Sequence, residues 1–225
     1  MIIFIIVITL LIYFILYIYI KTHSNKIYLN KKIYEKNFDT YLISMKKDLH
    51  RRNNVLNKIK INFIYSVEGL KLNLDKLKSE QIVSHDTKLK KGQIGCYLSH
   101  YYLLNKISNN NKPVIILEDD IDIQPDFFTK VNSIVNTFPE DYDMILLSYN
   151  YYEDFNYKKV TYVHGCHCYI VNNNISKNKI KKLLPITDIP YDIILPKIFN
   201  VYILIPQIAM LHPQFSTMSN TENII

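Results

Sequence analysis

Residues 114–117, Val-Ile-Ile-Leu, run straight into Glu118, Asp119 and Asp120. An unbroken apolar run of this length suits a strand buried on both faces. Three carboxylates crowded at its end repel one another and resist leaving water. A divalent cation among them would relieve both problems, and hard oxygen donors suit magnesium or manganese. The competing reading is an acidic turn that simply faces water. Arg51 and Arg52 offer paired guanidinium donors able to hold a diphosphate, or form an ordinary solvent-facing pair. Gly92 and Gly95 permit close backbone approach, and the helix after them would present amide donors to an anion. Ser99 and His100 lie within that helix, where they face either a nucleotide pocket or, for His100, the core with a fixed hydrogen bond. Their adjacency is no hydrolase signature, because side chains at i and i+1 diverge on a helix.

His164-Gly-Cys166-His167-Cys168 invites a zinc reading. On a strand His164, Cys166 and Cys168 share one face and His167 points away. Zinc ligands are normally spaced wider, so the ordinary reading is small, buried cysteines. Three cysteines in total are too few for a disulfide framework. With 27 Lys and Arg against 20 Asp and Glu, the net charge is +7. A basic surface attracts anionic sugar nucleotides, acidic membranes or nucleic acid. The lysines are scattered and no nucleic-acid motif is present, so no nucleic-acid partner is expected. Neither a P-loop nor a second acidic cluster supports a phosphotransferase or hydrolase.

The elements that must position these residues follow from pattern. Strands are predicted over 40–45, 61–67, 114–117, 142–147 and 201–205, with a strand pair over 160–163 and 166–171 around His164-Gly165. Helices are predicted from Asp48, as cap, to about 60, and over 92–107, 125–138, 175–184 and 192–199, the last containing Pro196. Residues 70–90 are polar, with room for one short helix. Early alternation of strand and helix predicts an α/β sandwich with a mainly parallel sheet, whose ligands bind at the carboxyl ends of the strands.

Ile2 to Ile20 carries no charged side chain. As a helix rising ~1.5 Å per residue it would cross a bilayer core of ~30 Å, with Tyr17, Tyr19 and Lys21 at one interface. Residues 22–24 make a poor signal-peptidase site, so 1–21 is expected to be an uncleaved, single-pass anchor followed by a stem at 22–37 and a domain at 38–225. Lys21, Lys26, Lys31 and Lys32 favour a cytosolic domain. Anchored enzymes of secretory organelles usually have the opposite orientation, and the side is left open.

Gly92-Gln-Ile-Gly-Cys-Tyr-Leu-Ser-His100 with Leu117-Glu-Asp-Asp120 resembles glycosyltransferase family 25, which includes lipooligosaccharide and collagen galactosyltransferases. Tyr41 to Met45 with Arg51, Val67-Glu-Gly69, Gly165 to Val171, and Pro190-Tyr-Asp192 are similar to its flanking elements, over roughly residues 38 to 218. The resemblance implies a GT-A type fold that moves a hexose, galactose or glucose, from a nucleoside-diphosphate sugar such as UDP-hexose to a hydroxyl of a glycan, lipid-linked sugar or protein. It also implies Mn2+ or Mg2+ on Asp120, with Asp122, in the shifted Asp120-Ile-Asp122 register, as second choice. Glu118 or Asp119 would bond the ribose or a metal-bound water, and Arg51, Ser99 and His100 would contact the donor. For an inverting transfer the base would be Asp192, with Asp188 the runner-up; the alternative is that Asp192 caps its helix. His212 would complete the metal shell or sit in a loop. Ser44, Met45, Cys166 and His167 depart from the family pattern. The rival reading is a binding or adhesion module that keeps the fold without turnover.

Overall fold

The computed structural model describes residues 11–19, 21, 37–59, 61–156, 158–212 and 214. Residues 1–10, 20 and 22–36 of the expected anchor and stem lie outside the described residues. Residues 11–19 are helical with exposed side chains. Among the described residues no helix is long and apolar enough to cross a membrane.

From residue 39 the elements are β1 (Asp39–Ser44), α1 (Leu49–Leu56), β2 (Asn62–Tyr65), a 3₁₀ turn (Gly69–Lys71), α2 (Leu74–Ser79), α3 (Lys91–Ile107), β3 (Val114–Glu118), β4 (Ile121–Ile123) and α4 (Phe127–Ile134). There follow β5 (Met144–Ser148), β6 (Tyr151–Asn156), β7 (Lys159–His164), β8 (Cys168–Val171), α5 (Lys177–Lys181), α6 (Tyr191–Ile198), β9 (Val201–Ile203) and β10 (Ala209–Leu211). An eight-stranded sheet has the order β2-β1-β3-β8-β5-β9-β7-β6. Strands β2, β1, β3, β5 and β9 run one way, and β8, between β3 and β5, runs the other. The sheet is therefore mixed, where a mainly parallel one was expected. The difference arises because β7 and β8 form one run antiparallel to β5 and β9, and Gly165, at a φ of +83°, kinks that run so that β8 enters between β3 and β5. The expected pairing of 160–163 with 166–171 does not form. Instead β7 pairs with β6, and β8 with β3 and β5.

Alternation along the central strands builds the two layers. Ile43, Val114, Ile116, Met144, Leu146, Tyr169 and Val171 face one core, with Ile94, Leu98 and Leu104 of α3 and Leu195 of α6. Leu42, Ile115, Leu117, Ile145, Leu147 and Ile170 face the other, with Val55 of α1 and Phe127 and Val131 of α4. Carried one step further, the same alternation sends Glu118 toward the α3 side and Asp119 toward the α1 side. The apolar run of β3 thus works as foreseen: four fully buried residues anchor a strand end whose carboxylates diverge to opposite faces.

Helix α3 docks through backbone. A Cβ on Gly95 would lie 2.8 Å from Val67 O and Gly69 N, and one on Gly69 would lie 2.2 Å from Lys91 O. Gly92 has open space around it, so close approach is required at Gly95 alone of the two helical glycines. A small antiparallel sheet of β4 and β10 sets Leu211 opposite Ile121, and His212 N–H donates to Asp120 O at 2.7 Å.

Candidate active site

Glu118 is the hub. It ends β3, with about a fifth of its side chain exposed (22%). Its Oε1 lies 2.9 Å from His100 Nε2 and 3.9 Å from Cys96 Sγ, both on α3. Its Oε2 lies 3.2 Å from His167 Nδ1. His167 reaches it because β8 pairs antiparallel with β3: Leu117 is opposite Cys168, and Glu118 N–H donates to His167 O at 2.9 Å. His100 is fully buried and stacked on Tyr191, with ring centroids 4.6 Å apart. Its Nδ1 is 2.8 Å from Tyr169 OH, which is 3.2 Å from Tyr191 OH. This polar chain crosses an otherwise apolar layer with each member partnered, which fixes the ring orientation.

Asp119 sits on the opposite face, and Asp120 lies near both it and Glu118. Arg51 Nη2 lies 2.7 Å from Asp119 Oδ1 and 3.3 Å from Asp120 Oδ2, with Asp48 Oδ2 3.9 Å from Nη1. Asp48 makes no side-chain cap to α1, contrary to expectation, because it turns toward Arg51. Arg52 is buried, donates to Met45 O and stacks on Phe63 and Tyr65, so only Arg51 of the pair reaches the carboxylates. Asp122 does not join them. One position past Ile121 on β4 it faces solvent, in an ion pair with Lys58.

Electrostatics separate the three acids. Burial pushes the Glu118 carboxyl up, but hydrogen bonds from His100 and His167 outweigh it and hold the group well below the usual carboxylate range. Burial raises Asp119 despite Ser44 and Arg51. Burial and the Glu118 charge lift Asp120 to about 7, against the pull of His167 and Arg51. Burial lowers His167, but its bond to Glu118 and the nearby Asp120 and Asp192 charges leave it raised.

Asp119 Oδ2, Asp120 Oδ1, Arg51 Nε and His167 Nε2 are buried and have no hydrogen-bond partner. Orphaned polar atoms of this kind cost stability unless something satisfies them. Glu118, Asp120 and His167 each present one donor atom, all within 4.8 Å of one another. Two carboxylate oxygens and an imidazole suit a divalent cation of the manganese type, with magnesium served less well by the nitrogen. The residues present therefore fit the cation the sequence implies.

The remaining expected residues separate. Ser99 Oγ donates to Gly95 O at 2.7 Å and accepts from Val67 N–H at 2.8 Å, tying α3 to the loop after β2. Asp192, in the first turn of α6, accepts Gly165 N–H at 2.6 Å and Ile193 N–H at 3.0 Å. Its charge bears on His167 and Cys96, which places it beside the Glu118 cluster. Asp188 is exposed and accepts Lys88 N–H at 2.5 Å. His212 Nδ1 accepts Gln214 N–H at 3.3 Å. Cys166 and Cys168 enter the cores on opposite sides of the sheet, so the 164–168 zinc grouping does not form. Sequence reasoning missed His167 and Cys96. The His167 contact depends on a strand pairing invisible to local pattern, whereas Cys96 and His100 are four apart on one helix and were open to that reading.

The family profile described as Glycosyltransferase family 25 (LPS biosynthesis protein) matches residues 37–189. A "Glycosyltransferase 25 family member" of Aedes aegypti is 31% identical over 110 residues, 43% of this chain and 18% of that protein. "Procollagen galactosyltransferase 2" of Homo sapiens is 23% identical over 126 residues, 48% of this chain and 20% of that protein. The matches thus span at most a fifth of the length of either relative. Among solved structures, a glycosyltransferase involved in the glycosylation of the major capsid of PBCV-1 aligns with TM-score 0.44 and 8% identity, covering 82% of this chain and 96% of that one. A197 from STIV aligns with TM-score 0.41 and 15% identity, covering 75% and 81%. Both scores lie below 0.5. With the profile covering more than half of its length, the chain belongs to glycosyltransferase family 25.

Proposed function

We propose that the chain is an active hexosyltransferase. It moves galactose or glucose from a nucleoside-diphosphate sugar, UDP-hexose by preference, to a hydroxyl of a glycan, lipid-linked sugar or protein, with inversion. The observation that carries the reading is the Glu118, Asp120 and His167 donor set with its orphaned atoms, at the carboxyl end of β3 in a chain of this family. These three would hold the cation, Mn2+ or Mg2+. When bound, a divalent cation neutralises the charge that grows on a departing diphosphate.

The chain's own groups divide the remaining work. Arg51, fixed on Asp119 and Asp120, keeps Nε free to donate to the donor's phosphates. His100 and Tyr169 orient Glu118 from behind. Ser99 holds the Val67 loop against α3 instead of touching the donor. Asp192 takes the proton of the acceptor hydroxyl, by its place beside the cluster. The segment at 1–21 tethers the domain at 38–225 to a membrane through a stem.

One observation favours a rival, the non-transferring binding module. Both Asp192 oxygens already accept backbone N–H groups, as a purely structural carboxylate would. The test is a nucleotide-sugar screen of the detergent-solubilised full chain with and without Mn2+, reading release of nucleoside diphosphate. Release that depends on cation and acceptor supports the transferase. Binding of donor with no release across the acceptors supports the module.

A further inference from the structure

The geometry points to a second metal set that overlaps the first: Cys96 Sγ, His100 Nε2 and Glu118 Oε1 form a site for a thiophilic divalent cation, Zn2+ by preference. Because it takes Glu118, its occupation excludes the manganese-type ion.

The three donor atoms lie within 4.8 Å of one another. Cys96 and His100 are four residues apart on α3, so both project from one helix face onto the end of β3. Two of the edges are 2.9 Å, from Glu118 Oε1 to His100 Nε2, and 3.9 Å, from Oε1 to Cys96 Sγ. A tetrahedral zinc with bonds of about 2.0–2.3 Å has donor-to-donor edges of roughly 3.3–3.7 Å, so these two edges need a few tenths of an ångström of adjustment, and the third, Cys96 Sγ to His100 Nε2, lies within 4.8 Å. Sulfur, imidazole and one carboxylate leave a fourth position for water, the composition of an open zinc site. The outer set of Glu118, Asp120 and His167 lacks sulfur and suits harder ions.

The surroundings already supply the support a ligating histidine needs. Tyr169 OH sits 2.8 Å from His100 Nδ1, and a hydroxyl accepts as readily as it donates. Nδ1 can therefore carry the ring proton, given to Tyr169, and leave the Nε2 lone pair to the metal. Tyr169 then passes its own proton toward Tyr191 OH at 3.2 Å. The stacked Tyr191 ring holds the imidazole plane. Cys96 is partly exposed, so an ion reaches the thiol from solvent. Binding forms a sulfur–metal bond and releases the thiol proton to water, with no redox partner required.

The test uses the full chain in detergent with Co2+ as a spectroscopic stand-in for zinc. The expected result is a near-ultraviolet thiolate-to-cobalt absorption with tetrahedral visible bands, both bleached by added Zn2+. Cys96→Ser should abolish the thiolate absorption and weaken Zn2+ binding at least ~10-fold while leaving the melting temperature in chelator within ~2 °C. Absence of the absorption in the wild-type chain, or its survival in Cys96→Ser, overturns the site. These readouts are independent of transfer. The exclusion is read separately by the electron paramagnetic resonance of free Mn2+, and this arm rests on the cation reading of the outer set. Zn2+ should release bound Mn2+ from the wild-type chain and need at least ~10-fold higher concentration in Cys96→Ser. Simultaneous binding of both ions, with Glu118 bridging them, refutes the exclusion.

Discussion

Glu118 and His167 are 49 residues apart in sequence, yet His167 Nδ1 lies 3.2 Å from Glu118 Oε2, while the backbone N–H of Glu118 bonds to His167 O. Side chain and main chain are thus fixed to each other twice. The pairing leaves His167 Nε2 buried without a partner and sets the imidazole in one donor group with Asp120. This one strand contact turns an acidic turn into a mixed carboxylate and imidazole donor set.

Asp120 carries the clearest trade between stability and function. Its carboxyl is held near neutrality by burial and by Glu118, so the ionised form strains the fold until a cation arrives. Asp120→Asn should abolish Mn2+-dependent release of nucleoside diphosphate. In chelator at pH 8 the variant should melt above wild type, because it removes a buried charge that Arg51 and His167 only partly offset. Wild-type turnover by this variant in the presence of chelator would falsify the cation mechanism.

The pH dependence of the metal-free fold has a definite sign. Asp120 is raised from an ordinary 3.8 to about 7, so its contribution is full below about pH 4 and is lost as pH rises through about 7. His167, raised above an ordinary 6.5, acts in the same direction, its contribution full below about pH 6.5 and lost as pH rises through its raised value. Glu118, held low by its two histidines, acts oppositely: its contribution is present above about pH 4.5 and is lost only as pH falls below that. Without cation, the melting temperature should therefore fall between pH 6 and 8. With Mn2+ the fall should shrink or reverse, since the ion binds the deprotonated carboxyl. A melting temperature in chelator that rises over this interval sinks the assignment.

How far the sequence revealed this site depends on the range of each contact. Val114 to Leu117 announced a buried strand, and its carboxylate end is where the site lies, because burial on both faces leaves a local signature. The long helix was readable from the periodicity around Ile94 and Leu98, and it spans Lys91–Ile107. The Arg51 contacts with Asp119 and Asp120 followed from nothing local, since they need α1 and the end of β3 to meet across the β1–β3 pairing. His167 was read as pointing away from a cysteine face, because the alternation was counted along 164–168 as one strand. In fact Gly165, at a φ of +83°, kinks the run and breaks the alternation, and β8 starts at Cys168. Asp122 fitted an acidic motif equally well by spacing, and only the β4–β10 pairing shows it facing water.

Gly95 tests the docking of α3. Alanine there gains up to about 1 kcal/mol of helix propensity. Its Cβ would also press on backbone atoms of Val67 and Gly69 at 2.8 Å, which cannot swing aside as a side chain would. Overpacking of this kind costs about 1–3 kcal/mol, so the balance is destabilising. Gly95→Ala should lower the melting temperature by a few degrees and weaken cation binding, because Cys96 and His100 ride on the same helix. An unchanged or higher melting temperature would show that the Val67–Gly69 segment yields freely.

Asp192 decides between enzyme and binding module. It is held by Gly165 N–H at 2.6 Å and Ile193 N–H at 3.0 Å, on the turn that presents His167, and its charge is felt at His167 and Cys96. A base is needed only when the acceptor attacks, so donor binding should hardly register its loss. Asparagine keeps a carbonyl oxygen for Gly165 but cannot take a proton at neutral pH; alanine removes both functions. Asp192→Asn should keep donor affinity within a few fold and lower transfer by ~10²-fold or more, the usual scale of a general base. Asp192→Ala should add a loss of melting temperature as the Gly165 N–H loses its acceptor. Calorimetric titration with UDP-hexose beside a transfer assay separates the outcomes. Transfer lost equally in both variants, with donor binding kept, assigns the base. Transfer kept in Asp192→Asn and lost only in Asp192→Ala makes the residue a support for the Gly165 turn and moves the search for the base to Asp188.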